Sequence, residues 1–184
     1  MTRSWIRPAG RLGLVAAGAL ALGIAWHGNG AGVTTVAAGG TTIPITAVDY
    51  AFEGVPARVP VGTAFSLVNA SPVELHELVA IRIADSETRS VAELVQLPDE
   101  ATAGVIAEEP AMVLLAPPRA PGFAVLGDGR FTEPGRYALV CFIPTGADPE
   151  AFLAAAAMES EGPPEVAGGP PHAFLGMIAE VVVE

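Results

Sequence analysis

The chain has one cysteine, and the residues around it are the ones whose types could do chemistry. Cys141 ends the run Pro134-Gly135-Arg136-Tyr137-Ala138-Leu139-Val140-Cys141, and an insertion separates it from His172-Ala173-Phe174-Leu175-Gly176-Met177. Upstream, Asn69-Ala70-Ser71-Pro72-Val73-Glu74-Leu75-His76 ends on another histidine. In chain order the donors are imidazole, thiolate, imidazole and thioether. One cysteine cannot close an internal disulfide, which leaves an intermolecular bridge, an inert buried thiol or a metal ligand. Singly, each residue has an ordinary reading: the cysteine as a small hydrophobe, Met177 as core, His76 or His172 as a surface group. Jointly, they are a soft donor set. A thiolate holds copper in both oxidation states, imidazoles suit both, and a weak thioether tunes the potential. Of three histidines, His27 falls near the N-terminus and the other two fall in this set.

The elements that must position these donors read as β-strands. Ile43 to Phe52 is β-rich, and Thr63 to Asn69 forms a strand after the Pro60-Val61-Gly62 turn. His76 to Ile83 alternates, placing Val79, Ile81 and Ile83 on one face and His76, Leu78 and Ala80 on the other. Ala111 to Ala116 is a strand ended by Pro117-Pro118. Arg136 to Phe142 is another, with Tyr137, Leu139 and Cys141 on one face. Met177 to Val183 is the closing strand. Residues 85 to 110 change texture, with Ser90 to Leu97 and Glu100 to Glu108 helix-compatible, and read as an insertion. Pro149 to Glu159, with four consecutive alanines, reads as a short helix. Short strands with Gly/Pro turns predict an all-β, antiparallel β-sandwich with short helical insertions.

Over roughly residues 43 to 184 the chain resembles the cupredoxins, the plastocyanin-like type 1 blue copper proteins. P-G-x-Y-x-x-x-C at Pro134–Cys141 and H-x-x-x-x-M at His172–Met177 carry the resemblance. It implies a Greek-key sandwich and one copper ion, cycling between Cu(I) and Cu(II). His76, Cys141 and His172 are the implied strong ligands and Met177 the axial one. Two departures stand out. Plastocyanin-like proteins place only a few residues between the cysteine and the second histidine, whereas Phe142 to Pro171 intervene here. A loop of that length implies a more open site, with residues 148 to 168, including Phe152, Leu153 and Met158, as a loosely packed lid. Glu77 also stands where plastocyanins carry an asparagine. Gly176 is expected to let the loop backbone approach the metal closely.

Residues 1 to 48 hold Arg3, Arg7 and Arg11 and no acidic residue, and Leu12 to Trp26 is apolar and uncharged. At about 15 residues this run is short for a spanning helix and fits the hydrophobic region of a secretory signal. The expected organisation is residues 1–38 as signal peptide or N-terminal membrane anchor with tether, and residues 39–184 as one copper-binding domain. The location is extracytoplasmic, secreted or anchored at the outer face of the cytoplasmic membrane, with membrane contact only through an uncleaved N-terminus. The remainder carries 6 arginines, no lysine and 20 acidic residues, a balance of −14. That argues against nucleic acid or anionic lipid as partner and permits a redox partner with a basic surface. No G-x-S-x-G, H-E-x-x-H or phosphate-cradling glycine loop is present, so an enzyme is not expected. The function expected is single-electron transfer between redox partners. The competing readings are a carrier, sensor or assembly module holding Cu(I), and a metal-free interaction domain.

Overall fold

The computed structural model describes residues 40–158, 164 and 166–184. The signal or anchor expected in residues 1–38 lies outside them, as do Glu159, Glu161 and Glu165 of the proposed lid. Among the described residues no helix is long and apolar enough to cross a membrane. The described residues form nine strands: β1 (Thr42–Val48), β2 (Ala51–Glu53), β3 (Arg58–Val59), β4 (Ala64–Asn69), β5 (His76–Ile83), β6 (Met112–Ala116), β7 (Phe123–Leu126), β8 (Gly135–Val140) and β9 (Ile178–Val183). They form a small sheet in the order β2-β1-β4 and a large one in the order β3-β9-β8-β5-β6-β7. The all-β sandwich expected from the sequence is the architecture observed. The chain-adjacent pairs β1/β2, β5/β6, β6/β7 and β8/β9 are antiparallel, as is β5/β8, whereas β1/β4 and β3/β9 run parallel.

Strand periodicity explains both cores. In β5, Leu78 and Ala80 face the small sheet and join Ile45, Leu67, Phe131, Tyr137 and Leu139 in the main core. Val79, Ile81 and Ile83 point the other way, yet they are also buried. The insertion covers them: Val91, Leu94 and Val95 pack on that outer face with Ala138 and Val140. Fully burying each such aliphatic side chain stabilises the fold by roughly 1.5–3 kcal/mol, so the insertion is a third layer.

Helix α1 (Val91–Leu94) starts at a capping box. Ser90 Oγ accepts the Glu93 N–H at 3.3 Å, and the Glu93 carboxylate accepts the Ser90 N–H at 2.8 Å. The helix expected over Glu100 to Glu108 is not formed beyond a 3₁₀ turn at Asp99–Ala101. Gly104 has φ +73°, which no helix tolerates. The Ala84 N–H donates to Val105 O and the Ala107 N–H to Arg82 O, so this segment extends the end of β5 instead. Strand β7 was not legible in the sequence because its side chains are exposed on both faces and show no alternation.

The P-G-x-Y turn has a steric reason. Gly135 sits at φ +145°, and a Cβ there would lie 2.7 Å from Arg82 Nε. Two residues on, the buried Tyr137 donates its hydroxyl to Glu133 O at 3.0 Å. This fixes the entry to β8, whose far end leads to Cys141.

Candidate metal centre

All four predicted donors lie at one end of the sandwich. His76 opens β5, Cys141 directly follows β8, His172 begins a 3₁₀ turn (His172–Leu175), and Met177 directly precedes β9. Every one of them is fully buried. Strands β8 and β9 are hairpin partners, with Val140 opposite Ile178. The 35 residues between Cys141 and Met177 therefore leave and return at the same place.

The neck of that excursion is closed by backbone hydrogen bonds. The Cys141 N–H donates to Met177 O, the Ala173 N–H to Cys141 O, the His172 N–H to Ile143 O and the Met177 N–H to His172 O, at 2.8–3.3 Å. Pairing continues outward through Thr145 with Pro170 and Gly169. The expectation of a more open site is thus overturned. The extra residues bulge beyond a zipped neck, and the donors below it are sealed. The helix they carry, α2 (Pro149–Met158), is not a loose lid either: Phe152 is buried in the same core as Cys141 and Met177. Gly176 closes the 3₁₀ turn in the left-handed conformation. Its φ is +109°, and a Cβ there would meet nothing nearer than Tyr50 O at 3.7 Å.

The donor atoms converge. His76 Nδ1 is 3.2 Å from His172 Nδ1, and His172 Nδ1 is 3.4 Å from Cys141 Sγ. All three ligand atoms lie within 4.8 Å of one another. Nitrogen and sulfur donors about 2.0–2.3 Å from one shared ion stand roughly 3.2–3.6 Å apart at tetrahedral angles. The two spacings at His172 Nδ1 match. Both Nε2 atoms are buried without a hydrogen-bond partner. The residues therefore fit a single small cation of the kind soft N/S donors select, copper among them.

The surroundings favour neutral forms of these groups. Burial, with His172 as a secondary cause, pushes His76 down to about 4. Burial likewise lowers His172. Burial pushes the Cys141 thiol well up, and the Glu77 carboxylate adds to this. A cation among the donors supplies the opposite charge that a buried thiolate requires. Glu77 contacts the cysteine directly. Its N–H donates to Cys141 Sγ at 3.4 Å, and its carboxylate accepts the Phe142 N–H at 2.9 Å. It straps the start of β5 to Cys141 and Phe142, and burial raises its carboxyl to about 7.

Three neighbours of the donors were missed in the sequence: Asp49, Tyr50 and Glu74. The β1–β2 turn brings Asp49 Oδ1 to 3.8 Å from His76 Nε2 and sets the Tyr50 ring edge-on to His172, centroids 5.2 Å apart. Glu74 Oε2 is 3.4 Å from His172 Nε2. The loop carrying Glu74 is built on Asn69 and Ser71. Asn69 Nδ2 donates to Glu74 O and Ala116 O, its Oδ1 accepts the Ser71 N–H, and Ser71 Oγ accepts the Glu74 N–H. The run Asn69–His76, quoted for its histidine, held this signal in its Asn-x-Ser turn chemistry.

The chain is similar to auracyanins. It shares 18% identity with the dithionite-reduced auracyanin of Roseiflexus castenholzii, covering 78% of this chain and 97% of that one at a TM-score of 0.45. Auracyanin A, a "blue" copper protein of Chloroflexus aurantiacus, is also 18% identical, with coverage of 79% and 100% and a TM-score of 0.43. A multi-copper oxidase of Pediococcus acidilactici is 11% identical at a TM-score of 0.36, and this chain spans 28% of it. No family model matches the chain, and no curated protein does.

Proposed function

We propose that this chain is a mononuclear type 1 blue copper protein of the cupredoxin kind that passes single electrons between redox partners. His76, Cys141 and His172 are the strong ligands, and Met177 is the axial one. The observation that carries the reading is the convergence of two Nδ1 atoms and one Sγ at ligand spacing in a fully buried pocket. When bound, copper supplies a one-electron couple between Cu(II) and Cu(I).

The chain's own residues do the rest. The zipped neck and the Glu77 strap hold the donors where they are, so little reorganisation accompanies a change of charge. Four protein donors leave no open position of the sort a catalytic metal keeps for substrate, which favours electron transfer over catalysis. Complete burial of both histidines favours retention of the ion over its delivery to another protein. Export to an extracytoplasmic location belongs to the same proposal, as does a redox partner with a basic face. The support is the arginine-bearing apolar N-terminus and the acidic remainder of the chain.

The test is the electronic spectrum of the residue 39–184 domain loaded with Cu(II), together with Cys141→Ser. The parent should show an intense thiolate-to-copper band in the visible region and reversible one-electron reduction. C141S should lose the band and most of the affinity, because a hydroxyl is a poor substitute for a soft thiolate. A colourless parent with loosely held metal, or an unchanged C141S, overturns the assignment.

A further inference from the structure

Each imidazole turns one ring nitrogen toward the donor cluster and the other toward a carboxylate. His76 Nε2 faces Asp49 Oδ1 at 3.8 Å and His172 Nε2 faces Glu74 Oε2 at 3.4 Å. Neither Nε2 has a hydrogen-bond partner, and both are fully buried. A neutral imidazole carries one N–H, on Nδ1 or on Nε2, and the surroundings select which. A bare Nε2 lone pair facing an anion is repelled, whereas an N–H there is attracted. We infer that Glu74, assisted by Asp49, is a positioning residue that holds the imidazoles in the Nε2–H tautomer, leaving both Nδ1 lone pairs bare toward Cys141.

The two carboxylates are not equivalent. The Asp49 side chain is 51% exposed and stands farther off, so water screens it. Glu74 is 12% exposed, and its two oxygens also accept the Gly146 N–H at 3.3 and 3.2 Å. It is therefore fixed from both sides, by the Asn69–Ser71 turn behind it and by Gly146 in front. Two bare Nδ1 atoms 3.2 Å apart repel each other in the metal-free protein. The carboxylates offset part of that repulsion and so pre-form a site ready for a cation. The same negative charges favour the more positive oxidation state of any bound redox ion.

This inference rests on the copper reading for its purpose, but the tautomer is a property of the metal-free protein and is measured there. Long-range ¹H–¹⁵N correlation spectra of the metal-free domain should place the proton of His76 and His172 on Nε2. Glu74→Gln keeps a carbonyl acceptor and should preserve the His172 tautomer. Glu74→Ala should lose it and weaken Zn(II) binding by about 10–100-fold, the usual cost of removing such a partner. Asp49→Asn and Asp49→Ala should have smaller effects on His76. In the copper-loaded protein, Glu74→Gln should raise the reduction potential while retaining the visible band.

A His172 proton on Nδ1 in the parent overturns the inference, as does a Glu74→Ala variant with unchanged tautomer and Zn(II) affinity. Should Glu74→Ala fail to fold, the parent tautomer and the Glu74→Gln potential decide the matter. A parent with Nε2–H imidazoles but no visible band on Cu(II) loading sinks the copper reading and leaves the positioning role standing.

Discussion

Asn69→Ala tests the link between the loop and the donors, because one buried side chain holds the segment that carries Glu74 and His76. Asn69 makes three hydrogen bonds to backbone groups: 2.8 Å to Glu74 O, 2.9 Å to Ala116 O and 2.8 Å from the Ser71 N–H. The last two are buried, and the first is partly so. Loss of a partner costs a buried polar group about 1–3 kcal/mol, and a partly wet one nearer 1. Water entering the vacated space recovers some of this, so the expected loss is about 3–4 kcal/mol. That is a large share of the stability of an ordinary domain, about 5–15 kcal/mol.

Urea unfolding of the metal-free domain measures the loss, with an unchanged m-value expected. Asn69→Asp sharpens the test. It keeps the acceptor for Ser71 but turns a carboxylate oxygen toward two carbonyls, so it should be at least as destabilising as alanine. Both variants should also bind Zn(II) more weakly, since Glu74 and His76 lose their anchor. A loss below about 1 kcal/mol for alanine, or an aspartate variant near the parent, would refute the claim that this side chain organises the loop.

Three other outcomes follow from the same geometry. Met177→Leu should leave the fold and the visible band intact while raising the reduction potential, measured by voltammetry; band and potential both unchanged would make Met177 core alone. Phe152→Ala should destabilise the domain by about 3–5 kcal/mol in denaturant melts, because the side chain belongs to the main core; a change within about 0.5 kcal/mol would return α2 to the role of a loose lid. The Arg89 guanidinium beside Glu87 holds its carboxyl down to about 2 from an ordinary value of 4.5. Its contribution is therefore present above pH 4.5 and is lost as pH falls through 2, so Glu87→Gln should flatten the acid limb of the stability–pH curve, and an unaltered limb would refute this.

The residue types and their chain order were enough to single out the groups that the fold gathers at one end of the sandwich: one thiol, two imidazoles and a thioether at strand ends. They were enough for the strands that position it wherever burial follows a period of two. The split of β5 into Leu78 and Ala80 on one core and Val79, Ile81 and Ile83 on the other is of this kind. Such signals are local, because alternation and turn chemistry act over a few neighbouring residues. What tertiary structure alone decided involves groups far apart in the chain. His76 and His172 meet across 96 positions. Asp49 reaches the first imidazole from a hairpin turn, and Glu74 reaches the second from the loop before β5. The insertion after Cys141 looks like a breach when counted in residues. Its ends are joined by β8–β9 pairing and by hydrogen bonds outward to Thr145, so its length never enters the site. Strand β7 shows the converse: exposed on both faces, it has no hydrophobic pattern to read, and only pairing with β6 makes it a strand.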